Sequence, residues 1–279
     1  MADSAEPDAW QARLDPAEPA AAAAAGVLAS PIPPPPALSV VIPAHNESES
    51  ILELLDEVSR VLTGRIDFEA IVVDDGSTDA MDQRLAAALP ARPWLRVLRH
   101  RRQSGQSAAL LTGVRAARAP WIATLDGDGQ NDPADIVKLL AARHETGEDA
   151  GFGLIAGYRA KRRDSLAKKL SSRIANRVRG ALLADHTPDT GCGLKLFERQ
   201  AFLDLPHFDH VHRFLPALFL RAGRRVVSVP VNHRPRLRGR SHYGVGNRLW
   251  VGIVDLLGVM WLKRRSRLPE GVVELAGKD

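Results

Sequence analysis

A doubly wound α/β fold is predicted for this chain: a mainly parallel sheet with helices on both faces. Three observations predict it. Short apolar runs of strand length alternate with stretches whose apolar residues recur at helical spacing. The alternation repeats as β-α-β-α from Leu38 to Gly157. Two of the runs end in clusters of aspartate and glycine, as loops at the carboxyl edge of a parallel sheet do. The 279 residues, 45% hydrophobic and 25% charged, have ordinary globular composition, enough for one large domain.

Residues 1–37 hold eight of the 19 prolines, an alanine run from Ala20 to Ala25 and Pro33 to Pro36 in a row. A disordered tail is expected there, because so little apolar surface cannot offset ordering entropy. Its acidic start does not resemble a secretory signal. A domain is expected over 38–245. Leu38 to Pro43 reads as a buried strand. Glu47 to Leu62 follows as a helix carrying Ile51, Leu54, Leu55, Val58 and Leu62 on one face. Phe68 to Val73 is a second strand, ending in Asp74-Asp75-Gly76-Ser77. Then come a helix to Leu89, a strand from Leu95 to Leu98, a helix from Ser104 to Ala117, and a strand from Trp121 to Leu125 that ends in Asp126-Gly127-Asp128. Pro133 to Glu145 reads as a helix and Gly153 to Gly157 as extended. An amphipathic helix is expected over 246–265 and a flexible tail over 266–279.

Ligands of such sheets sit beyond the carboxyl ends of the strands, where both acidic clusters fall. Asp126-Gly-Asp128-Gly-Gln130 offers carboxylate and amide oxygens, the donors that hard divalent cations prefer alongside substrate phosphates. A calcium EF-hand loop is excluded: its sixth position is Asn131 instead of Gly, and its twelfth is Val137 instead of Glu. The alternative for both clusters is helix capping, by Asp132 before Pro133 and by Asp75 or Ser77.

Formal charge is +5 overall, with a local −4 in the first 37 residues and +9 in the rest. Nine Lys or Arg residues lie from Arg159 to Arg179, and six arginines from Arg224 to Arg240. Either run could be a solvated face or a phosphate-binding surface. The apolar segment Leu249 to Leu262 is too short to span a bilayer. Trp250, Trp261 and the following Lys263-Arg264-Arg265 suit an interfacial helix, and packing on the core fits equally. The lone Cys192 excludes an internal disulfide and a thiolate zinc site and points to a reducing compartment. His207, His210 and His212 have the look of a metal cluster, but Phe208 and Asp209 favour a loop. Gly151-x-Gly153-x-x-Ala156 is misplaced for a dinucleotide fingerprint, and no phosphate-loop or nucleophile-elbow motif occurs.

In order, Val41-Ile-Pro-Ala-His-Asn-Glu47, Val72-Val-Asp-Asp-Gly-Ser77, Asp126-Gly-Asp-Gly-Gln130, Gly157-Tyr-Arg159, Gly191-Cys-Gly-Leu194 and Arg236-Leu-Arg-Gly-Arg-Ser-His-Tyr243 resemble glycosyltransferase family 2, with its GT-A fold. The resemblance is to dolichol-phosphate mannose synthases and bacterial polyprenyl-phosphate relatives, and it covers about Leu38 to Leu262. It implies that Pro43, His45, Glu47, Val73 and Asp75 line a nucleotide pocket. It implies further that Asp126, Gly127 and Asp128 meet ribose, diphosphate and metal, with Gln130 as a further ligand of Mg²⁺ or Mn²⁺. Arg159 and Arg236 would clamp phosphates, and Lys168, Ser172 and His242 would approach the acceptor phosphate. Relatives usually carry Tyr where this chain has His45, and Lys where it has His242. Asp189 has two readings, a turn former or a base for a hydroxyl acceptor. The expected reaction moves a hexose from a nucleoside-diphosphate sugar to a polyprenyl phosphate. Transfer to a sugar or protein hydroxyl is the alternative within the family. A non-enzymatic module binding nucleic acid or anionic membrane leaves Asp75, Asp126 and Asp128 without a role. No nucleic acid is therefore expected as a partner. The expected location is peripheral, at the cytoplasmic face of the membrane, with room for a separate membrane-anchoring protein.

Overall fold

The first strand, β1 (Leu38–Ala44), is buried along almost its whole length, as a central strand covered on both faces must be. Its neighbours are β2 (Phe68–Asp74) and β4 (Trp121–Thr124), both parallel, with β3 (Leu95–Arg99) parallel beyond β2. The structure, a computed structural model, describes residues 34–145, 151–160, 179–185, 187–235 and 246–265. Its seven strands run in the order β3-β2-β1-β4-β6-β5-β7. β5 (Phe152–Arg159) and β7 (Arg225–Val231) are parallel to each other, whereas β6 (Lys195–Glu198) is antiparallel to both β4 and β5. Among the described strands, β6 alone is reversed.

Helices α1 (Ile51–Leu62), α2 (Met81–Ala88) and α4 (Asp135–Glu145) cover one face, where Ile51, Leu55, Met81, Leu85, Ile136 and Leu139 pack on Val40, Ile42 and Val72. Helices α3 (Gln106–Ala116), α5 (Arg199–Leu203) and α6 (Leu215–Arg221) cover the other, through Leu110, Val114, Phe202 and Phe219 against Val41, Ile71 and Phe197. The alternation of Val40, Val41 and Ile42 between the two clusters is the period-2 signature of a strand. The predicted sheet with helices on both faces is thus present, and its element order follows the predicted β-α alternation as far as β5.

Differences lie at the boundaries and after β5. Helix α1 begins at Ile51 instead of Glu47, because residues 47–50 form a turn in which the Glu47 carbonyl accepts from the Ser50 and Ile51 amides. Helix α4 begins at Asp135, after a similar turn on Asp132 and Pro133. Strands β6 and β7 were not anticipated: β6 has four residues, and β7 lies in an arginine-rich stretch that reads first as a charge patch.

The last helix, α7 (Gly246–Arg265), departs from the expected amphipathic pattern. Val259 is buried, and Leu256, Met260 and Leu262 pack with it on the α3 side of the sheet. Ile253, Val254, Leu257 and Trp261 are exposed. Their spacing places them on one outward strip, so from Ile253 to Trp261 the helix is apolar on its outer side as well as its inner one. No helix among the described residues is long and apolar enough to cross a membrane.

Candidate active site

The site is built where β1, β2, β4 and β5 end, and the β1–α1 loop is latched to the β2–α2 loop. Asn46 adopts a left-handed φ of 56°, a conformation asparagine tolerates better than most residues. Its amide donates to Ser77 Oγ at 2.9 Å, and its Oδ1 accepts from the Thr78 amide at 2.8 Å. His45 Nδ1 meets the Asp75 carbonyl at 2.8 Å, and its Nε2 lies 3.2 Å from the side-chain Nδ2 of Asn46. Asp75 is buried, and its carboxylate accepts from His100 Nδ1 at 2.7 Å and from the Ser104 and Gly105 amides, each at 2.8 Å. It therefore shapes the loop before α3, and neither it nor Ser77 caps α2 through its side chain. Pro43 and Glu47 are partly exposed at the same edge. Val73 is fully buried in the core beside α3. It supports the site from below.

The second acidic loop sits against β1. A Cβ at Gly127 would lie 2.8 Å from Ala44 Cβ, too close for any larger residue, and the Gly127 carbonyl accepts from Ser50 Oγ at 2.9 Å. Buried Asn131 accepts the Asp126 amide at 3.0 Å. Asp128 Oδ1 accepts from the Gln130 amide at 3.1 Å, and Gln130 Nε2 reaches the Arg234 carbonyl at 3.5 Å. The far end of the loop is fastened to the segment after β7, where Asn131 bridges His233 and Arg234 pairs with Glu57 at 2.6 Å and Asp132 at 2.7 Å. Asp132 thus anchors a tether as well as accepting the Ala134 amide at 3.0 Å.

Asp126 is half-buried, and Gln106 Nε2 donates to its Oδ1 at 2.9 Å. Burial and then repulsion by Asp128 push its pKa up to about 6, against the attraction of Lys195 and Arg159 and the Gln106 hydrogen bond. A carboxyl group held back from ionising beside a second carboxylate fits a site completed by a cation. Among the described residues, no three His, Cys, Asp or Glu side chains converge on a metal-sized point. The donor set therefore suits a cation held by one or two carboxylates together with ligand phosphates, and not an all-protein cage.

Arg159, at the end of β5, is held by Asp189: Nε at 2.6 Å from Oδ2 and Nη2 at 2.8 Å from Oδ1. This two-point grip fixes the plane of the guanidinium and leaves Nη1 outside that pair. Because β6 runs backwards, its first residue, Lys195, lies at the same edge as the carboxyl ends of its neighbours; it pairs with Thr124 and Ala156. The sequence reading missed Lys195 and Gln106, although both follow short glycine-containing turns. Arg236, Lys168, Ser172 and His242 lie outside the described residues. His210 bonds Asp255 at 3.0 Å and His212 bonds Ser107 at 2.8 Å, so these two histidines serve packing. Burial raises the pKa of the Cys192 thiol, as befits an inert core residue.

The family model for glycosyl transferase family 2 matches residues 39–205, from β1 through the acidic loops and β6 to the end of α5. The chain belongs to glycosyl transferase family 2. This glycosyltransferase is 34% identical over 243 residues to the dodecaprenyl-phosphate galacturonate synthase of Rhizobium johnstonii, a match that covers 83% of this chain and 69% of that one. It is 33% identical over 210 residues to the undecaprenyl-phosphate 4-deoxy-4-formamido-L-arabinose transferase of an Enterobacter species, covering 74% of this chain and 62% of the relative. Among solved structures, the glucosyl-3-phosphoglycerate synthase of Mycobacterium tuberculosis, in complex with Mn²⁺, UDP and glucosyl-3-phosphoglycerate, superposes with a TM-score of 0.61 at 22% identity. That match covers 82% of this chain and 80% of the synthase, and it shows the shared fold.

Proposed function

We propose that this glycosyltransferase moves a sugar from a nucleoside diphosphate to a polyprenyl phosphate, with inversion and with Mg²⁺ or Mn²⁺, at the inner face of the membrane. The observation that carries the reading is the meeting, at one sheet edge, of the Asp126–Asp128 pair and the oriented Arg159. Carboxylates repel a diphosphate unless a cation bridges them, and a positioned guanidinium complements it directly. The similar polyprenyl-phosphate transferases supply the acceptor class.

Asp126 and Asp128 would hold the cation, with the Gln130 side-chain oxygen as a further donor. When bound, that cation neutralises charge on the departing diphosphate. Arg159, kept planar by Asp189, presents its remaining N–H groups to the same charge as it develops. A phosphate monoester with a second pKa of about 6 is already largely dianionic at neutral pH. One of its oxygens attacks the anomeric carbon; the bond from that carbon to the diphosphate oxygen breaks, and the electron pair leaves with the diphosphate. No proton has to be removed. A hydroxyl acceptor would need a base, and the candidate, Asp189, has both oxygens engaged by Arg159. Arg236 completes the acceptor side of the proposal. The outward strip of α7, followed by Lys263, Arg264 and Arg265, supports contact with an anionic bilayer surface.

The test is incubation of the protein and Mn²⁺ with a panel of nucleotide sugars and a short polyprenyl phosphate. A lipid-linked sugar formed from one donor is expected. Transfer only to sugar or protein hydroxyls would overturn the acceptor assignment.

A further inference from the structure

Lys195 is 4% exposed, rare for a lysine without a carboxylate in contact, and no ion pair to it occurs among the described residues. Its Nζ donates to the Cys192 carbonyl. That carbonyl belongs to the turn from Asp189 to Leu194, and both ends of the turn touch the site. At one end Asp189 grips Arg159. At the other, Gly193 lies so close to Asp126 that a Cβ there would fall 2.1 Å from Oδ2, and the Gly193 carbonyl accepts from Thr124 Oγ1. The carboxylates of Asp126 and Asp189 both attract the ammonium, while burial, the larger influence, lowers its pKa. A buried cation fixed to one carbonyl is a costly choice for packing alone.

We infer that Lys195 is a positioning residue of the donor site: by holding the Asp189–Leu194 turn, it sets the carboxylate of Asp126 and the guanidinium of Arg159 in register for a diphosphate. It acts through those two side chains and touches no substrate itself. The inference rests on the donor-site reading above and adds a residue to it.

The experiment compares wild type with Lys195→Met and Lys195→Arg, using UDP and GDP in calorimetry with Mn²⁺ and the preferred nucleotide sugar in kinetics. Lys195→Met should raise donor KM and lower kcat, for a combined loss in kcat/KM on the order of a hundredfold. Acceptor KM should stay unchanged. Its melting temperature should hold or rise, since a buried charge is removed. Lys195→Arg should recover most of the loss. Unaltered donor kinetics in Lys195→Met would overturn the inference, and so would a large fall in melting temperature with kcat and KM intact. If Lys195→Met does not fold, Lys195→Gln, which keeps a donor for the Cys192 carbonyl without the charge, should retain donor kcat/KM within a few-fold of wild type; a donor loss on the order of a hundredfold there would show that holding the turn is not what Lys195 does, and would overturn the inference. Failure of the wild type to bind either nucleotide would remove the donor-site reading itself, and that result shows in the wild-type arm alone.

Discussion

The two edges of the sheet carry buried charge in opposite ways. At the amino edge Glu69, 1% exposed, accepts from Ser39 Oγ at 2.7 Å, the Arg118 amide at 2.7 Å, Arg118 Nε at 2.9 Å and Arg96 Nη1 at 2.8 Å. Burial alone would raise its pKa, but these four donors outweigh burial and lower it. At the carboxyl edge Asp126 faces another carboxylate, has one side-chain donor in Gln106, and is pushed the other way. Glu69 is held in its charged form by donors of the fold; Asp126 is held back from ionising by its surroundings. Groups shifted in this direction cluster at functional sites, which supports the carboxyl edge as the place of the chemistry proposed above.

The strongest way to break this contrast is to exchange the consequences of damage at the two edges. Asp128→Ala should cut metal-dependent sugar transfer by on the order of a hundredfold or more, with an unchanged melting curve. Wild-type turnover in that variant would undo the site assignment. Glu69→Ala should do the reverse. Two arginines and a serine lose their acceptor, so denaturant unfolding should show a loss of about 3 kcal/mol, while kcat/KM of the folded protein stays as in wild type.

pH sharpens the same comparison. A carboxylate whose folded pKa is lowered stabilises the protein above its unfolded pKa, about 4.3 for glutamate, and that contribution is lost as pH falls through the folded value. The stability gap between wild type and Glu69→Gln should therefore be flat near neutrality and close below about pH 4. A gap that persists at low pH would mean that the network is not held by the Glu69 charge. His212 gives a smaller effect of related sign. Burial first, then repulsion from Lys195, Arg213 and His210, depress its pKa to about 3. The unfolded chain takes up that proton near pH 6.5, so stability is lost as pH falls from there toward the folded value. His212→Gln should lose less in melting temperature than wild type between pH 7 and pH 5; equal losses would contradict it.

Much of this was legible in the sequence because parallel strands and their helices are read by period. Ile51, Leu54, Leu55 and Val58 mark one face of α1, and all four are buried. The acidic loops were legible because a glycine-spaced pair of aspartates after a strand has few uses. What escaped was nonlocal. Lys195 opens a four-residue strand, and only the reversal of β6 brings it to the edge where its neighbours end. The partner of Arg159 is thirty positions away, beyond any spacing rule. The sequence of α7 fits an interfacial helix and a core-packed one equally, and composition cannot divide its apolar residues between two faces: Val259 is buried while the strip from Ile253 to Trp261 is exposed.

The central claim is that the Asp126–Asp128 pair and the oriented Arg159 form one receptor for a cation-bridged diphosphate. Calorimetric titration of UDP and GDP, with Mn²⁺ and with EDTA, tests it most directly. At least one nucleotide should bind with Mn²⁺ and weaken by about tenfold or more in EDTA, a difference of about 1.4 kcal/mol, with the same weakening in Asp128→Ala. Equal affinity with and without the cation, or in wild type and Asp128→Ala alike, would contradict the account.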